Sequence, residues 1–203
     1  MTPVSLLPLF PLDVVLFPGA PLPLHIFEPR YKEMIGECLQ HKRPFGMVRA
    51  RQDSLAEVGC TAIILEVIKK YPDGRLDIST EGKQRFEVLQ FNQERSFLQG
   101  EVGFFDDEPS QVAKADQATV VQLHQQFFEV LGQTIQLEPN NLSLSFQLAH
   151  DLPVDLDFKQ KLLEMKSEAE RIETLIEYYR ATIPRVEQTL RVRQRAGGNG
   201  LVH

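Results

Sequence analysis

The residues with the best claim to chemistry lie close together near the start of the chain: His25, Glu28 and Arg30. A histidine next to a carboxylate is the raw material of a general base, since the carboxylate can orient the ring within hydrogen-bonding reach. A base of this kind needs a nucleophile to activate, and no serine or cysteine is demonstrably placed beside His25. The structural alternative is that Glu28 and Arg30 pair or cap a helix entry while His25 faces solvent or satisfies a backbone group. No catalytic residue is therefore assigned.

The remaining reactive residues are sparse. The five histidines, His25, His41, His124, His150 and His203, are not spaced as a zinc ligand set, so no metal and no cofactor are expected. Cys38 and Cys60 form no C-x-x-C pair and read as small buried side chains of a reducing compartment. Asp73, Gly74 and Arg75 resemble a ligand loop, but Asp73-Gly74 also supplies the positive φ of a hairpin turn, with Arg75 pairing Glu66 or Asp77 across strands. Arg85 beside Phe86 reads in the same way, as packing plus a salt bridge.

The elements that must position these residues begin with a proline-rich stretch. Pro8, Pro11, Pro18, Pro21, Pro23 and Pro29 interrupt an apolar run that is too short for a membrane span and too broken for a soluble helix. The proline-free run Leu12 to Phe17, closed by Pro18-Gly19, is the expected strand, and Pro21 and Pro23 suit an edge strand leading through Leu24, His25 and Ile26. Pro29 then opens a helix to Gln40, with Tyr31, Met34, Ile35, Cys38 and Leu39 on one face. Further strands are expected at 45–49, at 59–68 (centrally buried), after the Asp73-Gly74 turn, at 85–91 beyond an interruption at Gly82, and at 96–105.

After residue 108 the period becomes helical. A stripe from Val112 to Leu131 ends at Gly132 and Pro139-Asn-Asn, a short helix follows at 142–150, and a long unbroken helix is expected over 157–183, bent or ended by Pro184. The expected organisation is a β domain over 1–108, a helical subdomain over 109–184 and a basic, partly disordered tail over 185–203. That tail places Arg185, Arg191, Arg193 and Arg195 against one Glu187, in a chain whose formal net charge is -6. With 42% hydrophobic residues the chain can build a real core. Lacking the basic flank and continuous apolar core of a secretory signal, it reads as cytoplasmic.

Three stretches resemble the N-terminal substrate-binding domain of the Lon protease family, in the form of small stand-alone bacterial proteins. They are LPLFPLDVVLFPG with PLPLHIFEPRY (residues 7–19 and 21–31); VGCTA, DGR and EGKQRF (58–62, 73–75 and 81–86); and FQLA, KQKLLE and Arg171-Ile172 (146–149, 159–164 and beyond). The resemblance implies an α+β fold, a PUA-like antiparallel β pseudobarrel followed by a C-terminal helical bundle. It also implies recognition of unfolded polypeptide on behalf of a protease system. No G-x-x-x-x-G-K-[ST] phosphate cradle occurs in the 203 residues, and no Ser-Lys peptidase domain is expected within them, so the expected protein is non-catalytic.

Peptide binding needs only an exposed strand edge or an apolar cleft. The candidate contacts are Leu16, Phe17, Leu22, Leu24, Ile26 and Phe27, in the proline-bounded segment, and Phe97, Phe104 and Phe105 at the domain boundary. Pro11, Pro18, Gly19, Glu28, Arg30, Asp73, Gly74, Arg75 and Arg85 are read as structural. The alternative is RNA binding through Arg185, Arg191, Arg193 and Arg195, prompted by PUA-like domains that act on RNA. An acidic chain with no RNP-like aromatic strand and no G-x-x-G clamp disfavours it. No membrane partner is expected, and the oligomeric state is not readable.

Overall fold

Prolines choose the strand boundaries in the first third of the protein. The computed structural model describes residues 4–135, 137 and 143–198. The first strand, β1, is Val4–Leu12, and it contains Pro8 and Pro11. It pairs antiparallel with β6 (Gln99–Phe105) through Val4 to Pro8, and parallel with β3 (Phe45–Arg49) through Leu9 to Leu12. Leu9 N–H donates to Leu98 O, while Leu12 O accepts from Ala50 N–H, so odd residues face the β6 side and even ones the β3 side. The nitrogen of Pro8 thus faces β3 before that ladder starts, and that of Pro11 faces β6 after that ladder ends. The expected strand over 12–17 is corrected accordingly: Asp13 to Ala20 is a turn-containing connection, and the real strand lies just before it.

Among the described residues the strand β2 (Pro21–Ile26) pairs only with β5 (Leu76–Asn92), as an edge strand should. The helix α1 (Pro29–His41) follows, with Pro29 in its first turn, and buries Tyr31, Met34, Ile35 and Cys38. Tyr31 stacks on Phe10 of β1 at 4.1 Å between ring centres, fixing the helix to the sheet. Beyond α1 run β3, then β4 (Val58–Lys70), β5 and β6. Gly74 adopts φ +81° in the β4–β5 turn. The strand order is β2-β5-β4-β3-β1-β6, with an additional pairing between the C-terminal half of β5 and β6. The expected antiparallel pseudobarrel is corrected on this topology. The parallel β1–β3 ladder makes the sheet mixed, and among the described residues β2 ends it with a partner on one side only.

Gly82 does not interrupt β5, which runs through it as one strand of 17 residues. The glycine is needed because the chain at Phe17 crosses there. Gly82 N–H donates to Ala20 O at 2.9 Å, its carbonyl accepts from Gly19 N–H at 2.7 Å, and an added Cβ would lie 2.2 Å from Phe17 O. One core cluster contains Leu7, Leu9, Val48, Phe86, Val88 and Val102, each buried apolar side chain contributing about 1.5–3 kcal/mol.

Contacts divide the chain into two compact units, Met1–Glu108 with Ala149–Lys166, and Pro109–Leu148 with Ser167–His203. In the first unit the helix α4 (Leu156–Glu164) stops where a continuous helix was expected. Buried Arg85 accounts for this: its Nη1 donates to Leu163 O at 3.0 Å and to Met165 O at 2.5 Å, its Nη2 reaches Asp107, and its guanidinium covers the Phe105 ring. Met165 is left extended, at ψ 135°. The second unit packs α2 (Lys114–Val130) on α5 (Glu168–Gly198), with α3 (Leu144–Asp151) between them in sequence. Its buried stripe is Val120, His124, Phe127 and Phe128, with His124 hydrogen-bonded to Tyr179 at 2.7 Å. Buried Arg171 is held by Glu168 and Ser145 and lies over Phe146. Pro184 sits inside α5 without ending it, on an exposed position where water can serve the unpaired carbonyl. Pro139-Asn-Asn and the tail beyond residue 198 lie outside the described residues.

Two consequences are measurable. Gly82→Ala drives a methyl group into the Phe17 backbone and should lower stability by about 1–3 kcal/mol, read as a fall in the urea midpoint; an unchanged midpoint contradicts the crossing. The outer surface of α1 is anchored by Arg95, which binds Glu33 and Glu37, with Ser96 also on Glu33. The hydrogen bond from Arg95 holds the Glu37 carboxyl below its ordinary 4.5. A lowered folded pKa stabilises above the unfolded value and loses that contribution as pH falls through the folded one. Wild type should therefore melt above Glu37→Gln at pH 7, and the gap should close as the pH is taken below 4.5. A gap independent of pH would contradict the assignment.

Candidate functional site

The sequence candidates separate sharply by burial. Leu16, Phe17, Leu24, Ile26 and Phe97 are buried in the first unit and cannot meet a partner. Leu22 and Phe104 are half-buried, and Phe105 lies beneath Arg85 and Lys166. Only Phe27 is open, 58% exposed, with its ring 5.9 Å from that of His25.

The chemical cluster resolves into pairs. Glu28 accepts from Arg30 at 2.9 Å, and the Glu28 side chain makes no cap bond to α1. His25 Nδ1 contacts Asp77, whose other oxygen accepts from Tyr71 O–H at 2.9 Å. His25 thus has an orienting carboxylate, from a strand that its own sequence neighbourhood did not reveal. Neither cysteine offers it a thiolate: Cys38 and Cys60 are buried free thiols, pushed up to about 11 and about 12 by desolvation. Arg75 binds Asp73, at 2.7 Å, and covers the Tyr71 ring, in place of the expected cross-strand partners. Pro11 lies in β1, while Pro18 and Gly19 make a turn in which Gly19 has φ +73°. On α5, Arg185 is exposed and Arg191 faces Glu187 at 3.5 Å; the side chains of Arg193 and Arg195 lie outside those described.

The surface best suited to another chain is a part of β4 that the sequence reading placed in the core. Strand β3 has five residues and pairs with β4 only through Cys60, Thr61 and Ala62. Among the described residues, β4 from Ile63 to Lys70 pairs only with β5, leaving its other edge open. Leu65 is 54% exposed, Val67 37% and Ile68 60% on this stretch. Beside its start lies a cleft of about 470 Å³ lined by Cys38, Leu39, Lys42, Arg43, Ile63 and Ile64. The α1 wall of that cleft ends in a left-handed turn: Lys42 has φ 50°, and the N–H groups of Lys42 and Arg43 both cap Cys38 O. This turn brings the two cationic side chains to the cleft rim. An apolar strip, an unpaired strand edge and an adjoining cleft can hold an extended polypeptide, and they contain no group that performs bond chemistry.

Sequence reading missed Leu65, Val67 and Ile68 because continuous apolarity marks burial on average. The usable signal was Lys69-Lys70 at the end of the run together with Glu66 inside it, charges that a fully enclosed strand would exclude. A second cleft, of about 460 Å³ near the start of β4, mixes Leu55, Val58 and Phe105 with the charged Arg51, Glu57, Glu87, Glu164 and Lys166, and is the more polar of the two. No group of three or more metal-ligating side chains occurs among the described residues, and no described helix is long and apolar enough to cross a membrane.

Comparison with known proteins places this geometry in context. The protein is 26% identical over 202 residues to Lon protease 1 of Hydrogenovibrio crunogenus, covering 90% of this chain and 24% of that protein. It is 25% identical over 192 residues to the Lon protease of Cytophaga hutchinsonii, covering 85% and 24%. The chain thus spans about a quarter of the length of these curated relatives. Among solved structures it is similar to a Lon N-terminal domain protein from Xanthomonas campestris, with a TM-score of 0.70 at 25% identity, covering 86% of this chain and 98% of that one. The N-terminal domain of the Lon protease of the Mycobacterium avium complex shares the fold, with a TM-score of 0.60 at 15% identity over the same share of this chain. The matched part of Lon is the substrate-binding region and not the protease domain. Residues 6–180 match the family described as the ATP-dependent protease La (LON) substrate-binding domain, and the chain belongs to that family.

Proposed function

We propose that this protein is a cytoplasmic, non-catalytic module of protein quality control that holds extended or unfolded polypeptide segments on behalf of a Lon-like protease system. The observation that carries the reading is the open edge of β4, where Leu65, Val67 and Ile68 are exposed beside the apolar cleft at Ile63 and Ile64. A client strand gains backbone hydrogen bonds along the edge and places apolar side chains on the strip and in the cleft. Family membership supports the same role.

The β2 edge is a poorer template. Gly82 N–H donates to Ala20 O and Thr80 Oγ1 to Leu22 O, so even residues of this strand face β5 and odd ones face the open side. Pro21 and Pro23 stand at the open side and have no N–H to offer. Among the described residues the nucleic-acid alternative has no comparable surface: Arg191 faces Glu187, and the Tyr71 ring is covered by Lys69 and Arg75.

The test is fluorescence anisotropy with a reduced, carboxymethylated polypeptide. The double variant Leu65→Ser, Ile68→Ser should bind about tenfold or more weakly, because each lost apolar contact is worth about 1 kcal/mol or more. Its melting temperature should stay near that of wild type, since both side chains are already exposed. Undiminished affinity in a folded double variant would refute the β4 site.

A further inference from the structure

We infer that the β4 site is selective for a particular client pattern, an apolar stretch with acidic residues at both ends. This rests on the proposed polypeptide-binding role and adds to it the chemistry of the client. The open edge from Ile63 to Lys70 spans about 23 Å at the rise of an extended strand, enough for seven or eight client residues. Cations stand at both ends. Lys42 and Arg43 line the cleft at Ile63 and Ile64, and Lys69 and Lys70 close the strip. All four are exposed, and no ion pair engages any of them among the described residues. The Lys69 ammonium does lie 4.5 Å above the Tyr71 ring, and Asp77 is its partner across the β4–β5 ladder. Between the two cationic ends the strip presents Leu65, Val67 and Ile68 with one carboxylate, Glu66. A client acid is therefore favoured at either end and opposed at the centre.

The same charges decide between occupants. A second copy of this chain pairing antiparallel along β4 would bring its Lys69 and Lys70 toward Lys42 and Arg43 of the first, four like charges at each end of the joint ladder. An acid-flanked polypeptide meets complementary charge at both ends. A nucleic acid would supply anions, but the strip gives its bases aliphatic side chains in place of an aromatic stacking face.

The test uses three fluorescent peptides with one five-residue apolar core, flanked on each side by two glutamates, two serines or two lysines. At low salt the glutamate peptide should bind about tenfold more tightly than the serine peptide, and the lysine peptide about tenfold more weakly, with the spread collapsing in about 0.5 M salt. The variant Lys42→Glu, Arg43→Glu, Lys69→Glu, Lys70→Glu, its fold checked by circular dichroism, should reverse the order. Leu65→Ser with Ile68→Ser should weaken all three peptides alike. Equal affinity for the three peptides would overturn the charge selection and leave the binding role standing. Binding of none would overturn both. Competition by an unstructured oligonucleotide as strong as that by the glutamate peptide would also overturn the inference, by making the site one for polyanions in general.

Discussion

A proline in a strand has no N–H, and most of the first unit is arranged around that one absence. In β1 the two prolines fall at the ends of two different ladders, so neither removes a hydrogen bond that the sheet would otherwise make. In β2 both prolines face outward, which leaves His25 as the only outward residue of this strand with an N–H and protects the edge from pairing with other chains. The protein therefore has two kinds of edge. One is chemically blunted by its sequence. The other, along the second half of β4, keeps every amide donor because Ile63 to Lys70 contains no proline. The β4 edge is thus guarded by other means than proline, and its free donors are what the proposed client pairing uses.

A second constraint is the buried guanidinium of Arg85. Enclosing a charge is costly unless its hydrogen-bonding groups are matched, and here a carboxylate, two carbonyls and an aromatic face surround it. The carbonyls of Leu163 and Met165 come from the end of α4, where a helix leaves its last acceptors unpaired. Arg85 supplies those acceptors with a donor and ends the helix in one step. It also binds residues 163–165 to a sheet more than seventy positions earlier in sequence, within the same unit. Leu163 and Met165 are thereby fixed relative to Asp107 on the segment that follows β6.

How much of this was legible follows from the range of each cause. The α1 helix shows in the spacing of Tyr31, Met34, Ile35 and Cys38, and the β4–β5 turn shows in Asp73-Gly74, because both patterns are local. The end of α4 does not show, since its cause is Arg85; the start of α5 does leave a local sign, Ser167 three residues before Glu170, whose N–H donates to Ser167 Oγ at 3.4 Å. The parallel β1–β3 pair is likewise invisible to alternation, which gives the face of a residue and not the direction of its neighbour. For the site, the reading that proline-bounded residues lie near the surface failed at Leu16 and Phe17. The chain there crosses tightly over Gly82, a contact 65 positions away in sequence. Leu65, Val67 and Ile68 were misplaced for the opposite reason: their apolarity is real, but β3 is too short to cover them.

The mismatch between a strand of 13 residues and a neighbour of five raises the question of why such an edge does not aggregate. The β4–β5 ladder has register shifts between Ile64 and Glu66 and between Val67 and Lys69, and such irregularities twist an edge away from flat stacking. Lys69 and Lys70 sit at its end, and Glu66 interrupts its middle. These features oppose a long, regular, uncharged partner, which is the geometry of self-assembly. They leave room for a short segment that is flexible enough to follow the bulges and carries opposite charge at its ends. Protection against self-association and selection of a client are then the same set of residues acting on two kinds of partner, so removing the lysines should loosen both at once.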